Sequence, residues 1–214
     1  EYCEVSGAET VVPAQGETEK LSVGGFVGRA STSATNDSGI TGCKFNGNFS
    51  IDGTNILSVS FGGMIGIGTD LLHYCFVDYS ANICNAEYVT ANTIAECYEY
   101  DTTDIISTLA TVNLTIDCLH LTLNVQADAL SDIYYSSDSA IVLTGDGAGS
   151  LPLQDITLID KNNYRDFSWV CENVHGFQLA SWEFDGVNDP FISRNPTKPT
   201  PRAISSAQDL SALS

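Results

Sequence analysis

The sequence predicts an all-β fold, either a β-sandwich or a short β-solenoid with extended terminal arms. Three observations carry this. Apolar residues alternate with period two along most of the chain, as in strands with one buried face. Turn-forming residues such as Asn46-Gly47, Asp52-Gly53 and the stretch 145–149 cut the alternation at short intervals. No window longer than ten residues carries a 3.6-residue apolar stripe.

Candidate strands follow in order at 21–27, 42–51, 56–65, 74–79 and 93–100. The clearest alternation runs over 112–129. Val112, Leu114, Ile116 and Cys118 share one face; the phase then slips, and Leu119, Leu121, Leu123, Val125 and Ala127 share a face. Either two strands joined by a tight corner or one strand with a β-bulge produces such a slip. Further strands are expected at 133–135, 140–144, 156–159, 168–170 and 178–184. The one helix expected is a short tail at 204–212. Three of the six prolines fall within 195–202, so that stretch does not pair as a central strand. The resulting organisation is an N-terminal arm (1–20), a β-rich core (21–192) and a Pro/Ser-rich C-terminal arm (193–214).

Between Lys44 and Lys161 there is no lysine or arginine, and the formal net charge is −19. Such a surface repels nucleic acid and anionic lipid, so no nucleic-acid partner is expected. The longest apolar stretch, 56–69, is too short and glycine-rich for a membrane span. Hydrophobic residues make up 43% of the chain, enough for a core despite the charge. Seven cysteines without a CxxC pair, in an acidic chain with no signal-like start, fit an oxidising extracellular or cell-surface setting. At least one disulfide is expected, with Cys75, Cys84 and Cys97 as the nearest candidates. Cys3 is left as the odd thiol for an intermolecular bond.

Four segments begin with cysteine and continue as strand, at Cys43, Cys75, Cys97 and Cys118, and Gly24-Gly25-Phe26-Val27-Gly28 recurs as Gly62-Gly63-Met64-Ile65-Gly66. Periods of this size belong to stacked β repeats, and the glycine pairs are expected at corners with positive φ. With Ile40, Cys43, Gly47 and Phe49 between them, these segments resemble the GLUG repeat of bacterial surface adhesins, over residues 24–66. The resemblance implies a stalk-like or adhesive segment without a catalytic site.

Glu183, Asp185, Asn188 and Asp189 gather oxygen ligands around Gly186, the pattern of a calcium-binding loop. No other cofactor is implied. Asn36, Asn48 and Asn113 open N-glycosylation sequons. No Gly-x-Ser-x-Gly elbow is present, the loop at 145–149 lacks the lysine of a phosphate cradle, and no carboxylate pair stands out. The expectation is therefore a non-enzymatic extracellular protein, a subunit of a filament or surface assembly that polymerises with itself by strand or arm exchange. The alternative is a secreted carbohydrate-binding or carbohydrate-processing β protein. The cluster Tyr164, Phe167, Trp169, Trp182 and Phe184 separates the two: inward for the first, outward in a groove for the second.

Overall fold

The computed structural model describes residues 3–12, 20–29, 39–67, 71–94, 105–106, 108–124, 133–146, 158–174 and 182–192. A nine-stranded sheet dominates. Its main path runs β1 (Glu4–Val11), β4 (Lys44–Asp52), β7 (Phe76–Asn92), β9 (Thr108–Asn124), β10 (Ile133–Ser136) and β12 (Leu158–Ile159), and β11 (Ala140–Asp146) also pairs with β9. β2 (Lys20–Gly24) and β5 (Ser58–Gly62) join through the second half of β7. A smaller sheet contains β3 (Gly39–Thr41), β6 (Leu71–His73) and β8 (Ile105–Ile106).

Every pairing in these two sheets is parallel. Glu4 lies beside Lys44, Lys44 beside Phe76 and Phe76 beside Leu109. The chain thus winds through β4, β5 and β6 and returns one strand higher as β7. Corresponding residues, such as Asn48 and Ser80, are 32 apart in sequence. Inward positions form apolar columns along the stack. Phe45, Val77 and Ala110 make one; Phe49, Ala81 and Leu114 another; Ile51, Ile83 and Ile116 a third, all buried. Alternation with period two dictates this, because in-register parallel strands place like faces together.

The parallel pairing corrects the expected fold. A sandwich needs antiparallel sheets, and none of the main strands pairs that way. The chain is mostly but not wholly β, since two short helices follow the sheet. β1 occupies the supposed N-terminal arm and is a strand of the main sheet; the supposed C-terminal arm and the expected tail helix lie outside the described residues. Local alternation carries no sign for strand direction, which is why an antiparallel reading fits the sequence equally well.

The long alternation is one strand, β9, and its slip falls one residue later than the pattern suggests. Cys118 is buried, Leu119 is 53% exposed, and the inward side resumes at Leu121. The partner strand makes the matching adjustment between Ile83 and Ala86, where Asn85 has φ 59°.

The two glycine segments stack. Gly24 pairs with Gly62 and Val27 bridges Ile65; the Phe26 N–H donates to Met64 O at 3.0 Å and the Gly66 N–H to Val27 O at 2.9 Å. None of these glycines has positive φ. They are needed for closeness instead. A Cβ on Gly24 would lie 2.4 Å from the Gly66 nitrogen, and one on Gly66 2.4 Å from the Gly28 carbonyl oxygen. Positive φ occurs at another corner, at Gly42 (64°) and at Tyr74 (55°), each the residue before a buried cysteine.

Helices α1 (Lys161–Arg165) and α2 (Phe167–Asn173) lie where a strand at 168–170 is expected. Two aspartates start them. Asp160 accepts from the Asn162 N–H at 2.9 Å, and Asp166 accepts from Ser168 N–H at 2.8 Å and Trp169 N–H at 3.3 Å. At five and seven residues they are too short to show a periodic stripe. Tyr164, Val170, Val174 and Trp182 pack with Phe76 and Leu109 into a second core. Trp182 belongs to β13 (Trp182–Glu183), which pairs antiparallel with β14 (Phe191–Ile192).

Candidate interaction site

Among the described residues, β1 and β2 each pair on one side only at one end of the sheet, and β11 and β12 do so at the other. β1 is exposed along nearly its whole length. The Lys44 N–H donates to the Cys3 carbonyl at 2.8 Å. In a parallel ladder, bonding to one neighbour uses alternate residues. Cys3, Val5, Gly7, Glu9 and Val11 therefore bond towards β4, while the N–H groups of Glu4, Ser6, Ala8 and Thr10 point to the open edge. At the other end lies β11, whose Ile141 and Leu143 are only partly buried against the core and whose Val142 is 55% exposed.

The columns reach both ends. Val11, Ile51, Ile83, Ile116 and Leu143 stand in one line, and Glu9, Phe49, Ala81, Leu114 and Ile141 in another. Glu9 is thus a charge at an inward position of an edge strand, a device that restrains edge-to-edge pairing. Lys44, buried on the other face, forms an ion pair with Glu4 at 3.7 Å and lies 5.5 Å over the Phe76 ring. This holds the start of β1 against β4.

Two outward surfaces flank these ends. On the first, Asn48, Ser80 and Asn113 form one column and Ser50, Asn82 and Thr115 the next. Two of the three sequon asparagines therefore share a column on one polar face. The Ser80 hydroxyl donates to the Asn48 side chain. Asn36 lies outside the described residues. On the second surface, Lys20, Ser58, Tyr88 and His120 line up beside Ser22, Ser60, Thr90 and Thr122. The Tyr88 and His120 rings stack at 4.8 Å with planes 27° apart, and Tyr88 is 43% exposed. Sequence reasoning does not single out this pair. The signal that finds it is the matching phase adjustment in β7 and β9, which sets Tyr88 opposite His120.

The C-terminal aromatic cluster points inward. Tyr164 and Trp182 are buried, and Trp169 and Phe184 pack against them. Beside this second core, Lys161 contacts Asp78 at 2.7 Å and Asp189 at 3.4 Å, and Arg165 contacts Asp189 at 2.9 Å. Burial works against the Lys161 charge, but the two carboxylates outweigh it and raise its pKa above the ordinary lysine value. The four charges clamp α1 to the sheet.

The expected calcium ligands are not brought together. Asp185 accepts from the N–H groups of Val187 at 2.8 Å and Asn188 at 2.7 Å, and from Asn188 Nδ2 at 2.7 Å. These bonds hold its carboxyl at a pKa of about 2. Asp189 turns to Lys161 and Arg165, and Glu183 sits in β13. Among the described residues no group of three or more His, Cys, Asp or Glu side chains is placed to hold a metal ion.

The disulfide expectations are rearranged. No disulfide joins any of Cys3, Cys43, Cys75, Cys84, Cys118 and Cys171, and Cys97 lies outside the described residues. Cys75 is buried at a corner, whereas Cys84 lies at the β7 adjustment next to Asn85. Their separation along the strand puts them out of each other's reach. Among the described residues no helix is long and apolar enough to cross a membrane. Comparison with known protein families, curated proteins and solved structures found no match.

Proposed function

We propose that this chain is a non-enzymatic extracellular structural protein that polymerises by stacking end to end, the β11 edge of one copy against the β1 edge of the next. The observation that carries the reading is that the core columns run from β1 at one end of the parallel sheet to β11 at the other. Stacking in register sets Leu143 of one copy over Val11 of the next. It also satisfies the outward N–H groups of β1. The contact is head-to-tail and does not close on itself, so its product is a filament. Strand addition of this kind draws affinity from main-chain hydrogen bonds and register from side-chain columns.

The test is Ala8→Pro. Its ring removes an N–H that points to the open edge and leaves the ladder to β4 intact. Circular dichroism checks the fold, and negative-stain microscopy with sedimentation reads assembly. Filaments from the parent chain and a folded monomer from the variant support the reading. A parent chain that stays monomeric at high concentration, or a variant that assembles equally well, rejects it.

A second reading, glycan binding, is favoured by the Tyr88–His120 ledge. An exposed aromatic face beside a row of hydroxyls suits stacking of a sugar ring. Tyr88→Ala should abolish retention on a polysaccharide affinity gel if this surface binds sugars; unchanged or absent retention of the parent chain removes the reading.

A further inference from the structure

The corner before each main strand carries a cysteine in three successive turns of the winding. The Lys44 N–H donates to the Cys3 carbonyl, the Phe76 N–H to the Cys43 carbonyl and the Leu109 N–H to the Cys75 carbonyl, at 2.8, 2.9 and 3.0 Å. Cys3, Cys43 and Cys75 therefore occupy equivalent positions, one above the next. The Cys3 N–H lies 3.4 Å from Cys43 Sγ. Neighbouring strands are about 4.8 Å apart, inside the Cα separation of about 4.4–6.8 Å that a disulfide requires.

We propose that Cys3 and Cys43 form an intramolecular disulfide on oxidation, which clips the edge strand β1 to the body of the sheet.

Exposure selects this pair over Cys43 and Cys75. Cys3 is exposed, whereas Cys43 and Cys75 are both buried. Burial also pushes the Cys75 thiol up to about 12, so it stays protonated and unreactive. The oxidant is a small disulfide such as oxidised glutathione. The Cys3 thiolate attacks one of its sulfurs and releases one glutathione thiolate, giving a mixed disulfide. Cys43 then loses its proton to solvent and attacks the Cys3 sulfur, releasing the second glutathione thiolate. Two protein thiols are oxidised and one glutathione disulfide is reduced to two thiols. The bond closes a loop of 40 residues. From loop length, the expected rise in unfolding temperature is about 8–16 °C.

The missing basic residues make the test clean. Trypsin cuts after Lys20, Arg29 and Lys44 and then not until Lys161. Cys3 is thus in the peptide ending at Lys20, Cys43 is in 30–44, and Cys75, Cys84, Cys97 and Cys118 share 45–161. The full chain is equilibrated in a glutathione redox buffer, blocked with an alkylating agent and mapped without reduction. Expected is a cross-link between the Cys3 peptide and 30–44 in monomeric protein, lost in Cys3→Ser together with the temperature shift. A link from 30–44 to 45–161, a Cys3–Cys3 dimer, or complete alkylation overturns the proposal.

Discussion

The Tyr79 hydroxyl donates a 2.8 Å hydrogen bond to the carbonyl of Thr93 in the interior of the molecule. The geometry depends on Gly63, where a Cβ would lie 2.4 Å from the Tyr79 ring. The Thr93 hydroxyl in turn bonds the hydroxyl of Tyr135, so the turn of β7 is joined to that of β10 by one buried polar chain. Burial raises both tyrosine pKa values, and both stay neutral.

Tyr79→Phe should therefore destabilise the protein by about 1–2 kcal/mol, because the Thr93 carbonyl loses a buried donor without a gain in space. Denaturant unfolding measures this. A change within error would mean that water or a neighbour replaces the donor.

Gly24→Ala and Gly66→Ala should each cost about 1–3 kcal/mol through overpacking. Both methyl groups press on the same backbone contact, so the double variant should lose less than the sum of the two. Strict additivity in a double-mutant cycle would show that the two sites relax independently.

Lys161→Met should cost about 3–5 kcal/mol at neutral pH, since it leaves Asp78 and Asp189 facing each other with one cation fewer. The sign with pH follows. A carboxyl whose folded pKa rises above its unfolded value of about 3.9 binds more protons in the native state. The variant should therefore lose stability as pH rises above about 4 and recover as pH falls towards it. Parallel stability–pH curves for parent and variant would refute the clamp.

Glu9→Val should lower the concentration at which the chain assembles, because it completes an apolar column at the β1 edge. Light scattering against concentration reads the onset. An onset unmoved or raised would show that β1 is not the contact.

The sequence declared its strands more clearly than their arrangement. β4, β9 and β11 fall on segments where Phe45 to Ile51, Val112 to Cys118 and Ile141 to Leu143 alternate openly. Parallel order was hidden, because alternation is identical in either direction, and only the cysteine-led segments and the recurrence of Gly24–Gly28 at Gly62–Gly66 hinted at stacking. β1 was misplaced as an arm because Glu9 and Gly7 interrupt its apolar face, and those interruptions belong to an end strand. The helices escaped notice because Asp160 and Asp166 cap only five and seven residues. Of the site residues, the outward placement of Asn113 follows from the phase of its strand, whereas the sequon at Asn48 says nothing of where its side chain faces. The calcium pattern around Asp185 rests on residue types alone, and spacing in the sequence does not show that its carboxylate closes its own turn.

The all-parallel stack also sets how the molecule answers to force. Hydrogen bonds between strands point along the stacking direction, so tension along that direction loads them one strand at a time and peels the sheet like a zip. Tension along the strands loads all eight β1–β4 positions together in shear. A chain anchored at the β1 edge would yield first at that strand and unwind turn by turn, lengthening under load instead of rupturing at once.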